Sequence, residues 1–407
     1  MNIGIYFGGG LPDACAGGGF TFQQGLLVEL LKTEHKHNFC IFCNNCIRQS
    51  DNPKIKFIEL SKYVTCKNSG FFKKIIFKIF RVFEKWHVTK NFGSHLNKTA
   101  LENKIELMWF MTPAYQKVDI PYFYTVWDLQ HRFQSYFPEV SVSGSSYEQR
   151  EQYYQKIIPM ASYVITGNEQ GKMDISKFYS VPDFRIKTIP MPTSPFALRQ
   201  EFIDENIVNK LKIKKSFIFY PAQFWPHKNH ITVLRAAKLL KEKFELDFDI
   251  VFTGADKGNL QYIKEKTVEL GLSQNIHFLG FVSIETLVQL YKNAFALVFA
   301  SFFGPDNIPP LEAFGLGCSV ISSNFAGAKE QMRDAALYFE PGDEFELAAQ
   351  IKKLYDNQVL RAELISNGRK IAEECSCENY LKKINELIDE FSKIRRCWSS
   401  DEPYVHL

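Results

Sequence analysis

The chain has 407 residues, enough for two domains with a hydrophobic core each. Its 45% hydrophobic and 23% charged content is that of an ordinary globular protein and excludes wholesale disorder. No apolar run approaches the ~18 residues that cross a bilayer as a helix, and a formal net charge of +4 is too small to mark a nucleic-acid binder unless it is concentrated somewhere.

Met1 to Phe7 reads as the first strand of a sheet, without the basic start and apolar core of a secretory signal. Gly8-Gly9-Gly10 and Gly17-Gly18-Gly19 form a glycine-rich loop before a helix spanning 20–32. Glycines there let a backbone approach a ligand closely, although the spacing is not the Gly-x-Gly-x-x-Gly dinucleotide fingerprint. Nine cysteines, several in strand-like settings, point to reduced thiols of a cytoplasm rather than a disulfide framework. Cys40, Cys43 and Cys46 have a metal-like spacing, but no fourth ligand follows nearby. Phe39 to Cys43 also reads as a strand, which would turn Cys40 and Cys43 to opposite faces.

Residues 67–98 hold eight basic residues and one acid, Glu84, so the chain's whole positive balance sits there. Phe72, Ile75, Ile79, Phe83 and Trp86 recur at helical spacing, while Lys74, Lys78, Arg81 and Lys85 line another face. An apolar aromatic face beside a basic one suits an anionic membrane surface. It also suits a helix packed on its own sheet. Nucleic acid is disfavoured, because nothing else in the chain is basic enough to follow a phosphate backbone.

Strand-like segments follow at 107–111, 122–126 and 161–166, with a helix at 169–178. Prolines 190, 192 and 195 mark an interdomain linker. Beyond it, apolar strands at 217–220, 248–252 and 276–279 alternate with helices, the pattern of an open doubly wound sheet. A strand at 296–300 then runs into Phe302-Phe303-Gly304-Pro305-Asp306-Asn307-Ile308-Pro309-Pro310-Leu311-Glu312-Ala313-Phe314-Gly315-Leu316-Gly317. Asp306 or Asn307 is placed to cap a short helix, Pro309 or Pro310 suits its first turn, and Gly317 is placed to end it. A helix N-terminus at the carboxyl end of a strand attracts phosphate. Glu312, expected in the first turn, would accept hydrogen bonds from sugar or ribose hydroxyls.

Ile308 to Ile321 resembles the nucleotide-sugar segment of family-four glycosyltransferases, which have the GT-B fold of two facing Rossmann-like domains. The resemblance implies an α/β chain with an acceptor domain at 1–198, a nucleotide-sugar domain at 199–376 and a final helix at 377–407 crossing back to the first domain. The family pattern is Glu, seven residues, Glu. Glu312 matches the second, which binds ribose, while Gly304 stands where the first belongs. Asp306, Asn307 or the loop backbone is then expected to face the donor, beside Ile308, Pro309 and Leu311. The loop also resembles a Phe-Gly-Pro-x-Asn-Ile-Pro-Pro-Leu-Glu branch of that family.

Pro221 to Asn229 is similar to the family's diphosphate loop, with Lys228 matching its Lys and Gln223 standing in place of its Arg. Val126 to Leu129 is similar to its Val-His-Asp-Leu segment, with Trp127 at the His position and Asp128 matching. His131, on the same loop, is a candidate replacement for that His. The resemblance further implies donor contacts at Gly18, Gly19 and Gly254, with Phe281 and Val282 flanking the base.

The implied activity is retaining transfer of a hexose, with a mild preference for mannose from GDP-mannose, from a nucleoside diphosphate onto a carbohydrate acceptor. No cofactor or divalent ion is required. The basic stretch suggests a lipid-linked acceptor of bacterial surface polysaccharide synthesis, on the inner face of a cytoplasmic membrane. The alternatives are a GT-B-like nucleotide-sugar epimerase and, given Gly304, Gln223 and Trp127, a non-catalytic nucleotide-sugar-binding protein.

Overall fold

The computed structural model describes residues 1–8, 17–44, 50–60, 95–141, 147–199, 210–211, 213 and 215–399. Two sheets organise them. The first is built from β1 (Asn2–Tyr6), β2 (Asn38–Cys43), β3 (Ile55–Glu59), β4 (Leu107–Phe110), β5 (Tyr122–Thr125), β6 (Tyr163–Thr166) and β7 (Ile186–Thr188). Their order is β3-β2-β1-β4-β5-β6-β7. The second holds β8 (Phe217–Pro221), β9 (Asp249–Thr253), β10 (Ile276–Phe278), β11 (Ala296–Phe299), β12 (Val320–Ser323) and β13 (Ala336–Phe339), in the order β10-β9-β8-β11-β12-β13. Every pairing between these strands is parallel, so the expected pair of doubly wound sheets is what forms.

The strand sequences follow from that burial. Leu107-Met108-Trp109-Phe110 and Ala296-Leu297-Val298-Phe299 are buried at every position, because layers pack on both sheet faces and alternation has no solvent side to serve. In β2, Phe39, Ile41 and Cys43 enter one core layer while Cys40 and Phe42 enter the other, so the two thiols do face apart. Cys46 lies outside the described residues, as do Phe72, Lys74, Ile75, Lys78, Ile79, Arg81, Phe83, Lys85 and Trp86. No helix among the described residues is long and apolar enough to cross a membrane.

Five helices bear on the site: α1 (Gly18–Lys32), α2 (Glu169–Tyr179), α3 (His230–Lys243), α4 (Ile308–Gly315) and α5 (Cys377–Arg395). In α5, Tyr380, Leu381, Ile384, Ile388 and Phe391 recur at helical spacing and bury that stripe in the first domain's core with Phe22 and Leu26 of α1. The Tyr380 ring meets Phe22 edge-on at 5.6 Å, and Tyr163 donates a 2.6 Å bond to Glu390. Helix α5 is therefore packed on the first domain.

The proline-marked connection is not a loose linker. Thr193 donates through its amide to Cys375 O (2.6 Å) and through Oγ1 to Ala372 O (2.9 Å), and Thr193 and Ser194 are almost wholly buried. Backbone polar groups that cannot reach water must be paired, and here they are paired between the connection and the C-terminal end of the helix Gln358–Glu374 that precedes α5.

Candidate active site

In both sheets the strand order reverses beside the first strand, between β1 and β4 and between β8 and β11. Such switch points open a crevice at the carboxyl ends of the strands. Here the two crevices meet, and residues from both domains line one cavity of about 420 Å³. That volume is within the ~300–1,000 Å³ range of small-molecule sites.

From the first domain, Gly17, Gly18 and Gly19 reach the cavity at the start of α1, with Trp127, Asp128 and Gln130 beside them. A Cβ on Gly18 would touch Ile308 Cδ1 (3.4 Å), and one on Gly17 would press on Gln223 Nε2 (3.3 Å), so the glycines allow the domains to close. Asp128 accepts the Gln130 amide N–H (3.0 Å), and Arg150 lies 3.4 Å from it.

From the second domain, Gln223 and Lys228 line the cavity after β8, Gly254 after β9, and Phe281 and Val282 after β10. Gln223 Oε1 accepts from Trp225 Nε1 (3.0 Å). The Lys228 ammonium lies 3.4 Å from Ser301 Oγ and 5.1 Å from the Phe299 ring centre. Burial lowers the Lys228 pKa to about 8, against an opposing pull from Asp128 and Glu139. Gly254 has φ +136°, and a Cβ there would overlap the Ala222 carbonyl. Phe281 is 56% exposed at the rim, placed to cover a planar group.

The loop after β11 departs from several expectations. Gly304 has φ +127°, and a Cβ on it would fall 2.6 Å from Asn307 Oδ1. The backbone there admits no side chain without strain, so the carboxylate missing from this position is excluded by conformation. Asn307 occupies the helix N-cap but makes no side-chain cap; its Nδ2 donates to Gly304 O (2.6 Å), and its amide N–H goes to Gln331 Oε1 (3.1 Å). Pro309 and Pro310 have no N–H, which leaves Ile308 as the one first-turn residue of α4 with a backbone donor to offer. The helix end therefore supplies a dipole but few hydrogen bonds.

Leu311, expected to face the donor, is fully buried in the second domain's core instead. Glu312 is the fifth residue of α4 rather than in its first turn, and its carboxylate is already engaged. Ser194 donates to one oxygen (2.6 Å) and Tyr291 to the other (2.8 Å), while the side chain still borders the cavity. The C-terminal end of α4 behaves as anticipated. Gly317 at φ +72° donates to Phe314 O, and Cys318 donates to Ala313 O, the paired bonds of a Schellman stop.

His131 is also displaced from its expected role. It is fully buried, with Nε2 2.5 Å from Glu151 Oε1, and Glu151 also receives Arg132 and the Tyr179 hydroxyl. Its ring holds the first domain together and does not line the cavity. The chain's Asp-x-Asp triplet, Asp247-Phe248-Asp249, lies at the amino-terminal end of β9, away from the cleft. Asp247 is paired with Lys215 and Asn275, and Asp249 with His277. Among the described residues no three His, Cys, Asp or Glu side chains gather to hold a metal ion.

Asp306 lines the cavity at the domain junction, where one oxygen accepts the Met191 amide (3.2 Å) against Gly167. Burial pushes its pKa up to about 7. A carboxyl group whose folded pKa lies above its unfolded value near ~3.9 stabilises the fold fully below that value. That contribution is lost as pH rises through about 7. Asp306→Asn keeps an acceptor for Met191 and removes the titration. The variant is expected to melt higher than wild type at pH 8. The stability difference between them should change by ~2–4 kcal/mol from pH 4 to pH 8. Parallel melting curves at those pH values measure it.

Residues 203–371 match the family model described as glycosyl transferases group 1. The O-antigen chain mannosyltransferase RfbU of Salmonella typhimurium is 27% identical over 206 residues, 50% of this chain and 54% of that protein. The chain thus spans about half the length of the curated relative it matches. Among solved structures, sucrose-phosphate synthase from Thermosynechococcus elongatus superposes with a TM-score of 0.73 at 16% identity, covering 97% of this chain and 100% of that one. Anabaena HepE in complex with UDP-glucose gives a TM-score of 0.66 at 16% identity, over 96% and 100%. At such identities the likeness is one of fold, and the fold is GT-B.

Proposed function

We propose that this chain is a glycosyltransferase that moves a hexose from a nucleoside diphosphate sugar to a saccharide acceptor. The observation that carries the reading is the interdomain cleft itself: Lys228, the only Lys or Arg among its described lining residues, shares the cavity with the glycine start of α1. The name of the Salmonella relative favours mannose as the sugar, and GDP-mannose is the donor to try first.

In this reading the base lies against Phe281 and Val282, the diphosphate against Lys228, and the hexose beneath Trp127 and Asp128. A second pocket of about 630 Å³ opens from the same boundary, sharing Gly19, Trp127 and Asp128 and extending to Gln23, Arg150 and Tyr153. It is the proposed seat of the acceptor. As the anomeric C–O bond breaks, its electron pair moves to the diphosphate oxygen, where the Lys228 ammonium opposes the developing charge. The acceptor oxygen bonds to the anomeric carbon, and its proton passes to the departing phosphate. Attack on the leaving group's own face gives retention. The lipid-linked acceptor and the anionic membrane surface rest on the composition of residues 67–98.

A thermal-shift screen against GDP-mannose, UDP-glucose and related donors tests the reading, because a ligand that binds the folded state alone raises its melting point. One donor is expected to give a rise of several degrees, and labelled sugar from it should appear on an acceptor extract. Conversion of the donor without acceptor would point to an epimerase. A shift with no transfer would point to a binding protein, and no shift with any donor would remove the proposal.

A further inference from the structure

One short segment of the first domain grips both phosphate-side loops of the second across the mouth of the cleft. Gln134 Nε2 donates to Phe302 O (3.1 Å), and the Phe137 ring lies 5.8 Å from that of Phe302 and 6.2 Å from that of His227. Glu139, on the single helical turn Pro138–Ser141, receives two donors from His227: the backbone N–H at 3.1 Å and the ring Nδ1–H. The Glu139 side chain is 8% exposed, and among the described residues none pairs with its second oxygen.

His227 immediately precedes Lys228 in the turn Pro226–Lys228. Burial, reinforced by the neighbouring Lys228, holds the His227 ring neutral, so Nδ1 can carry the proton that Glu139 accepts. Two bonds to one residue fix both its backbone and its side chain, and with them the path by which Lys228 enters the cavity. The partners lie 88 residues apart on different domains, so the contact exists only while the domains are closed.

We infer that Glu139 is a positioning residue for donor binding, which completes the Lys228 turn from the opposite domain. The inference rests on the proposed function. A cation acts best on a transferring phosphate when it is held in place before the reaction. Within the second domain Tyr220 donates to Lys228 O (2.6 Å) and the Phe302 amide to His227 O (2.8 Å), and Glu139 adds the part of that hold that depends on closure. Coupling of this kind is reciprocal: closure favours the donor, and the donor favours closure.

The test uses the full chain as wild type, Glu139→Ala and Glu139→Gln, with GDP-mannose and UDP-glucose as calorimetric probes. Hydrogen exchange is followed on the peptide containing His227. Glu139→Ala should weaken donor affinity and raise donor KM at least tenfold, leave acceptor KM within twofold, and speed exchange of the His227 amide. Glu139→Gln keeps an oxygen for both donors and should restore most of each effect, which a role confined to stabilising one domain would not produce. Donor affinity in Glu139→Ala within twofold of wild type, or a loss that Glu139→Gln does not rescue, overturns the inference. A wild-type chain that binds neither probe overturns the proposed function instead, and unchanged His227 exchange in Glu139→Ala would then overturn the contact by itself.

Discussion

Lys228→Ala should reduce kcat for sugar transfer by ~10²–10³, the usual effect of deleting one preorganised donor from a developing anion. Among the described residues the cavity lining offers no second Lys or Arg to replace it, Gln223 carries no charge, and α4 has two prolines in its first turn. The pH profile supplies an independent check. A solvated lysine would stay charged to about pH 10, but burial brings Lys228 to about 8 in the free protein. Because the protonated form is the one that opposes the diphosphate, kcat/KM should be level in this group below pH 8. It should fall about tenfold per unit above that value. A bound diphosphate favours the ammonium, so the limb should move to higher pH in kcat measured at saturating donor. In Lys228→Ala the limb should vanish. The fold should suffer little, because the substitution removes a cation that burial disfavours, together with a 3.4 Å contact to Ser301 and the Phe299 ring beneath it. A wild-type profile flat to pH 10 would show that Lys228 does not face the donor.

Much of the architecture was legible in the sequence for a physical reason. Strands covered on both faces become unbroken apolar runs, such as those of β4 and β11, and these stand out without knowledge of their partners. One helix end was readable from a local residue: Gly317 ends α4 as anticipated. Asn168 caps α2 through Gly171 and Ser376 caps α5 through Asn379, two local signals that the sequence reading did not use. The site was legible as a set of loops after strands, because the switch-point rule needs only strand order. What could not be read was where polar side chains spend their hydrogen bonds. His131 is committed to Glu151, 20 residues away, Glu139 to His227, 88 away, and Glu312 to Ser194, 118 away. No local periodicity encodes such pairs. One error had a local remedy: Pro309-Pro310 favours starting a helix, but the same two residues subtract the amide donors that an anion would use.

Glu312 shows how that hidden pairing changes an experiment. Removing its carboxylate in Glu312→Ala strands the buried Ser194 hydroxyl and leaves that of Tyr291 only a 3.4 Å bond to Pro309 O, and an unsatisfied buried group costs about 1–3 kcal/mol. With the lost packing, the expected destabilisation is ~3–5 kcal/mol, a drop on the order of 10 °C in melting temperature. Loss of donor binding in that variant would therefore say little about the donor. Glu312→Gln separates the two roles. Its amide can accept from one hydroxyl and donate to the other once that hydroxyl rotates, so its melting temperature should stay within a few degrees of wild type. An ionised carboxylate has about four lone-pair sites, and two are taken, which leaves capacity on the cavity side for ribose hydroxyls. The amide cannot accept a second pair on both of its heavy atoms. Donor affinity in Glu312→Gln should accordingly fall about tenfold, the worth of one hydrogen bond to a charged group. Burial raises the Glu312 pKa, so wild-type donor affinity should also decline as falling pH protonates the carboxylate, a decline absent from the glutamine variant. Equal donor affinity in wild type and Glu312→Gln at neutral pH would confine Glu312 to clamping the interdomain connection through Ser194.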